Sequence, residues 1–165
     1  MIYALTGDGK GKTTSAIGMG IRAVGAGKKV LMAQFLKDGS SSEIAALRKI
    51  RNFKVKSFGR PGFGPYSEND SQLAKLGFLF ARKEARSKKY DLLILDEINV
   101  SLYFNLLGLK DVVAFLKEYG KKIDIVLTGR YCPREIIKMA DLVTEFKEVK
   151  HYFKKGIKAR KGIEH

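Results

Sequence analysis

Hydrophobic positions along this chain follow two rhythms. Short apolar runs mark strands: Ile2–Leu5, Val30–Phe35, Phe53–Ser57, Asp91–Leu95, Ile123–Leu127 and Leu142–Glu148. Between them lie segments of helical period. Lys12–Gly25 carries Ala16, Ile17, Met19, Gly20, Ala23 and Val24 along one face and stops at Gly25 and Gly27. Ser42–Ile50 places Ile44, Ala45, Leu47 and Ile50 together. Ser67 and Asp70 form a capping-box variant that opens a long helix to about Ser87. Leu109–Tyr119 is a helix stopped at Gly120, and Pro133–Met139 is one with proline in its first turn. Phe58–Tyr66, rich in Gly, Pro and aromatics, reads as a loop, and the basic tail from Val149 as irregular.

Strands alternating with helices predict βαβ units, hence an α/β fold with a mostly parallel sheet flanked by helices. Ligands in such sheets sit at the carboxyl ends of the strands. Three clusters fall there: the glycine loop after the first strand, Asp96-Glu97 after the fourth and Thr128-Gly129-Arg130 after the fifth. The 165 residues suit a single domain spanning 1–165.

Composition narrows the classes. No run of 18 apolar residues exists, so no membrane-spanning helix is expected. Met1–Thr6 has no basic lead-in and predicts no signal peptide, and the single cysteine, Cys132, fits a reducing cytoplasm. The net charge is +15, from 32 Lys and Arg against 17 Asp and Glu. The charges are spread along helices and the tail without interleaved stacking aromatics. That favours a solvated surface attracting a small polyanion over a nucleic-acid module.

The first candidate chemistry is Gly7-Asp8-Gly9-Lys10-Gly11-Lys12-Thr13-Thr14. The P-loop pattern G-x-x-x-x-G-K-[ST] fits except that Thr6 stands at its first position. Glycines let backbone N–H groups converge on phosphate oxygens, and the next helix turns its positive end toward them. Lys12 would neutralise phosphate, and Thr13 would offer its hydroxyl to Mg²⁺. Asp96 and Glu97, closing an apolar strand, stand where a P-loop protein keeps its second Mg²⁺ anchor. There Glu97 would polarise a water in an ATPase, or one acid would bind metal while the other capped the next element. Arg130 could clamp a phosphate or make a surface ion pair, and Lys37 invites the same two readings. Cys132 reads as inert packing, and His151 as a structural histidine.

The whole pattern resembles the P-loop type of ATP:corrinoid adenosyltransferase. The resemblance rests on Thr6–Thr14, Arg22-Ala23-Val24-Gly25, Gln34-Phe35-Leu36-Lys37, Leu95-Asp96-Glu97, Thr128-Gly129-Arg130, Val149-Lys150-His151 and the closing Gly156–Glu164 run. That family's P-loop also begins with Thr. The resemblance implies a P-loop (RecA-like) nucleotide-binding fold. It implies ATP as co-substrate with Mg²⁺, and cob(I)alamin or a corrinoid precursor as substrate. Co(I) would attack C5′ of an ATP lying reversed along the P-loop, and triphosphate would leave. Lys12 and Glu97 would be the catalytic pair, with Glu97 a metal ligand beside Thr13 and Asp96. The loop Gly62-Phe63-Gly64-Pro65-Tyr66 would supply Phe63 and Tyr66 beside the corrinoid. Here the chain departs from the family's Gly-Phe-Thr-Trp, since Pro65 stands at the Trp position. It departs also in ending on His165, where the family's last residue is often aromatic, and in showing no N-terminal extension of the kind that family members often fold over the corrinoid. A flavin-type reductase, a homodimer and a cytoplasmic location are further implications. The competing reading is a basic P-loop ATPase acting on nucleic acid, and a third is a nucleotide-binding regulatory module without turnover.

Overall fold

The computed structural model describes residues 1–62 and 64–164; Phe63 and His165 lie outside the described residues. Six strands form one sheet: β1 (Ile2–Thr6), β2 (Val30–Phe35), β3 (Phe53–Phe58), β4 (Leu92–Asp96), β5 (Asp124–Thr128) and β6 (Leu142–Glu145). Their order is β3-β2-β4-β5-β1-β6, and every pairing is parallel. The helices are α1 (Lys12–Gly25), α2 (Ser42–Leu47), α3 (Glu68–Arg86), α4 (Ile98–Tyr103), α5 (Leu109–Tyr119) and α6 (Arg134–Met139).

Alternation within the strands builds two cores, one on each face. Val30 and Met32 of β2 face Ala16 of α1 and Ile44 and Leu47 of α2. Leu31, Ala33 and Phe35 face the other way, into a larger core with Ala74 and Phe78 of α3, Ile98 of α4, Phe115 of α5 and Ile136 of α6. Every residue of β2 and β4 is buried, as expected for strands covered on both faces.

Several sequence-based boundaries shift: β1, β4, β5 and α6 differ by one residue at one or both ends, and the following differences matter more. Helix α4 was not anticipated: Ile98–Tyr103 is six residues, too short to display a period. It starts because Glu97, at φ 61°, turns the chain out of β4. The last strand stops at Glu145, not Glu148, and all four of its residues are exposed at the sheet edge. The second helix ends at Leu47, since Arg48–Ile50 closes in turns rather than continuing to Ile50. The third strand runs on through Phe58, which pairs with Phe35, so the loop begins one residue later. The tail, expected to be irregular, contains a 3-10 turn at Tyr152–Lys155. There His151 caps the turn, its Nδ1 accepting from the Phe153 N–H at 3.1 Å.

The Ser67–Asp70 cap forms as expected. The Ser67 N–H and hydroxyl donate to Asp70 Oδ2 at 2.7 and 2.8 Å, and Arg60 Nε donates to Oδ1 at 2.9 Å. Burial alone would raise the Asp70 carboxyl. The Ser67 backbone and Arg60 outweigh it and hold the group below the usual carboxylate range.

Candidate active site

The carboxyl ends of the strands open into a cleft of about 930 Å³. The loop between β1 and α1 lines it with Asp8, Gly9, Lys10 and Gly11. Gly7 and Gly11 have φ of 95° and 119°, values that L side chains rarely adopt. The chain after β6 crosses directly behind the loop. The Phe146 carbonyl accepts from the Gly9 N–H at 2.7 Å, and a Cβ on Gly7 would collide with that carbonyl. Thr6 has a local role: its hydroxyl accepts the Cys132 N–H at 3.3 Å, tying β1 to the loop that follows β5.

Lys12 curls into the loop it follows. Its Nζ donates to the carbonyls of Gly7 and Gly9 at 2.6 and 2.7 Å. Burial lowers its pKa, with Arg130 adding to the effect and Glu97 opposing it. Thr14 lines the cleft, as do Asp8 and Lys10. Lys10 reaches outward to the tail: its ammonium contacts Tyr152 Oη, the Ile163 carbonyl and Glu164 Oε1 at 3.2, 3.0 and 2.9 Å. Tyr152 and Arg160 also hydrogen-bond Glu164, so the tail closes one side of the cleft through this polar knot. Arg130 stands across from the loop tip and donates to the Asp8 carbonyl at 3.2 Å. Gly129 just before it, at φ 126°, is held by Asn99, whose Nδ2 donates to the Gly129 carbonyl at 3.2 Å.

Asp96 lies fully buried at the centre of the polar network. The Thr13 and Thr128 hydroxyls donate to its Oδ1 at 2.8 and 2.7 Å. Gln34 Nε2 and Lys37 Nζ donate to its Oδ2 at 3.1 and 3.0 Å. Burial would raise the Asp96 carboxyl, but Lys37 and the two threonines outweigh it and keep the group charged. Glu97 behaves oppositely: burial first, then the Asp96 charge, push it up, while Lys37, Lys12 and Arg130 offset part of the rise. Lys37 resolves toward an ion pair that is not at the surface. It approaches Glu97 Oε1 at 3.8 Å as well as Asp96, and the two acids hold its charge against burial.

Gln34, Thr128 and Asn99 were not singled out individually from the sequence. A signal existed for Gln34, the one polar residue of an otherwise apolar strand. Asn99 gave none, because helix α4 was itself invisible. Among the described residues no group of three or more His, Cys, Asp or Glu is arranged to hold a metal by itself. An ion here would have to share its coordination with Thr13 and with ligand oxygens.

The opposite wall of the cleft is aromatic. Tyr66 packs against Phe104 with ring centroids 4.8 Å apart, and Tyr103 stacks on Tyr131 at 4.1 Å. Tyr66, Phe104 and Tyr131 line the cleft. Phe63, the other expected aromatic of this wall, lies outside the described residues. Cys132 is half-buried, and burial pushes its thiol pKa up to about 12.

Comparison with known proteins adds the context. Residues 1–165 match the family model described as ATP:corrinoid adenosyltransferase BtuR/CobO/CobP. The corrinoid adenosyltransferase of Escherichia coli (strain K12) is 35% identical over 167 residues, covering 100% of this chain and 85% of that protein. The corrinoid adenosyltransferase CobA of Salmonella typhimurium is 32% identical over 167 residues, with the same coverage. That of Pseudomonas aeruginosa is 36% identical over 163 residues, covering 96% of this chain and 80% of the relative. With its P-loop, Glu97 and its aromatic wall in one cleft, and with a match along its whole length, the chain belongs to the ATP:corrinoid adenosyltransferase family.

Proposed function

We propose that the cleft joins the 5′-deoxyadenosyl group of ATP to the Co(I) of a reduced corrinoid and releases inorganic triphosphate. Corrinoid adenosyltransferase activity, with ATP as co-substrate, is the activity of the family to which the chain belongs. The observation that carries the residue-level reading is the pairing of a phosphate cradle with the wall formed by Tyr66, Phe104 and Tyr131. A hydrolase needs the cradle and a group to position water, but no aromatic wall; a flat macrocycle needs an apolar surface to lie against.

The chemistry asks little acid–base work of the protein. In the substrate, Co(I) supplies an electron pair to C5′, the cobalt–carbon bond forms, and the C5′–oxygen pair departs with triphosphate. Proximity therefore dominates: the cleft must hold C5′ in line with cobalt. Lys12, the loop N–H groups and Arg130 would stabilise negative charge on the departing triphosphate. For this, Lys12 would exchange the Gly7 and Gly9 carbonyls for phosphate oxygens.

Thr13, Asp96 and Glu97 fit a hard divalent cation, since a hydroxyl and two carboxylates converge there and already attract the Lys37 ammonium. Mg²⁺ held by these residues would neutralise the polyphosphate. Glu97, in this reading, binds rather than activates water. Tyr66, with Phe63, would form the corrinoid side and exclude water from the face of the ring. We further infer a flavin-type reductase as electron donor, a homodimer, a cytoplasmic location, no nucleic-acid partner, and one nucleotide-binding domain spanning 1–165. No described helix is long and apolar enough to cross a membrane.

The test is product analysis with ATP and chemically reduced corrinoid. Adenosylated corrinoid and triphosphate in equal amounts are expected. ADP and phosphate, especially if stimulated by polynucleotide, would overturn the reading. Tyr66→Ala should slow turnover from Co(II) with a mild reductant more than turnover from preformed Co(I). Equal losses in both regimes would assign Tyr66 to packing.

A further inference from the structure

The four donors on Asp96 use up its acceptor capacity. A carboxylate offers about four lone-pair sites, and Thr13, Thr128, Gln34 and Lys37 take two on each oxygen. A metal can therefore bind Asp96 directly only if one donor leaves. Thr128 and Gln34 are fully buried, and Gln34 is fixed in turn by the Ser57 hydroxyl at 3.0 Å. Thr13 belongs to the first turn of α1. Lys37 differs from all three. Its side chain keeps 21% of its surface exposed, it lines the cleft, and it sits on a flexible four-carbon stem.

Its position also coincides with the place a cation is wanted. The Lys37 ammonium lies 3.0 Å from Asp96 Oδ2, 3.4 Å from Thr13 Oγ1 and 3.8 Å from Glu97 Oε1. These are the three side chains read above as the Mg²⁺ anchor. The backbone aims it there. Leu36, a bulky apolar residue, is held at φ 58°, a costly conformation that persists only where the surroundings enforce it. The Leu36 N–H is pinned to the Phe58 carbonyl at 3.0 Å.

We propose that Lys37 is a resident counter-cation of the metal site: its ammonium pairs with Asp96 and approaches Glu97 when no metal is bound, and an incoming Mg²⁺ must displace it. This rests on the reading of Thr13, Asp96 and Glu97 as the metal site. Two consequences follow. Asp96 keeps a partner and stays ordered without metal, because a buried charge is tolerable only when paired. Metal binding without nucleotide is weak, because it must evict a like charge. With MgATP, the displaced ammonium gains the polyphosphate as a new partner, so nucleotide and metal favour each other's binding.

The experiment measures divalent binding to the full chain without nucleotide, by calorimetry with Mg²⁺ and by electron paramagnetic resonance with Mn²⁺. Wild type should bind weakly. Lys37→Met should bind on the order of tenfold tighter, since a unit charge at this range in a half-buried site opposes the ion strongly. Metal-free Lys37→Met should also melt below wild type, and Mg²⁺ should restore it. Lys37→Gln keeps a donor for Asp96 and carries the same comparison if the methionine variant does not fold. Binding no tighter than wild type in the folded variants overturns the displacement. Asp96→Asn in the Lys37→Gln background should abolish the gain. If divalent binding there is unchanged, it is the assignment of the metal site that fails.

Discussion

Lys12 and Cys132 show how burial sets the chemistry of single residues at this site. Lys12 is the cation rooted in the P-loop that still points inward, because Lys10 is engaged by the tail. Replacing it with alanine removes the donor expected to follow the triphosphate as its bond to C5′ breaks. Lys12→Ala should lower kcat by a factor on the order of 10²–10³, the usual loss for one strong transition-state donor. A near-normal rate in steady-state assays would remove Lys12 from the mechanism. Cys132 stands beside the cleft, where burial disfavours its thiolate. Its pKa rises from 9.0 to about 12 by burial alone. Each unit is tenfold in thiolate, so alkylation at pH 8 should be roughly a thousandfold slower in the folded chain than after unfolding. Timed alkylation read by mass spectrometry checks this, and fast labelling of the native protein would contradict it.

Helix α3 depends on its start. Asp70 satisfies the Ser67 N–H, the Ser67 hydroxyl and Arg60 while only 3% exposed. Losing it removes a cap and leaves Arg60 Nε without its carboxylate, while the Arg60 contact with the Pro65 carbonyl remains. Asp70→Ala should cost about 1–3 kcal/mol, seen as a fall of several degrees in Tm. The pH dependence has a definite sign. The native carboxyl is depressed, so its contribution is complete above its unfolded value of about 3.9 and is lost as pH falls through the lowered native value. Urea unfolding of wild type and Asp70→Ala should therefore converge on acidification; a gap that stays constant would show that the cap does not act through charge. The cap was legible from Ser67 and Asp70 three residues apart. Arg60, its partner across the loop, was not, since nothing local links position 60 to position 70. Helix α4 was hidden for a different reason. Six residues with a left-handed Glu97 at their head carry no period, and the helix exists because it packs beneath the loop that bears Gly129.

At the scale of the molecule, a net charge of +15 is expected to draw a polyanion toward the cleft. Attraction of this kind is screened within about 10 Å at 0.1 M salt. KM for MgATP should rise several-fold between about 0.05 and 0.5 M monovalent salt, with kcat little changed. An unchanged KM would mean that contacts inside the cleft, not the surface field, govern capture. The linear chain determined the strand and helix alternation, the P-loop and the acids at the strand end, because each is a local pattern of neighbouring residues. From these the α/β class, and the family with its motifs, could be read. Only the tertiary structure decided the strand order, which sets β4 between β2 and β5 and so gathers Gln34, Lys37 and Thr128 around Asp96. It alone brought Lys10 to Glu164, across more than 150 positions. Partners so far apart in sequence leave no periodic trace; parallel strands with long crossovers bring them together, and burial then dictates which of the charges can stand without a neighbour.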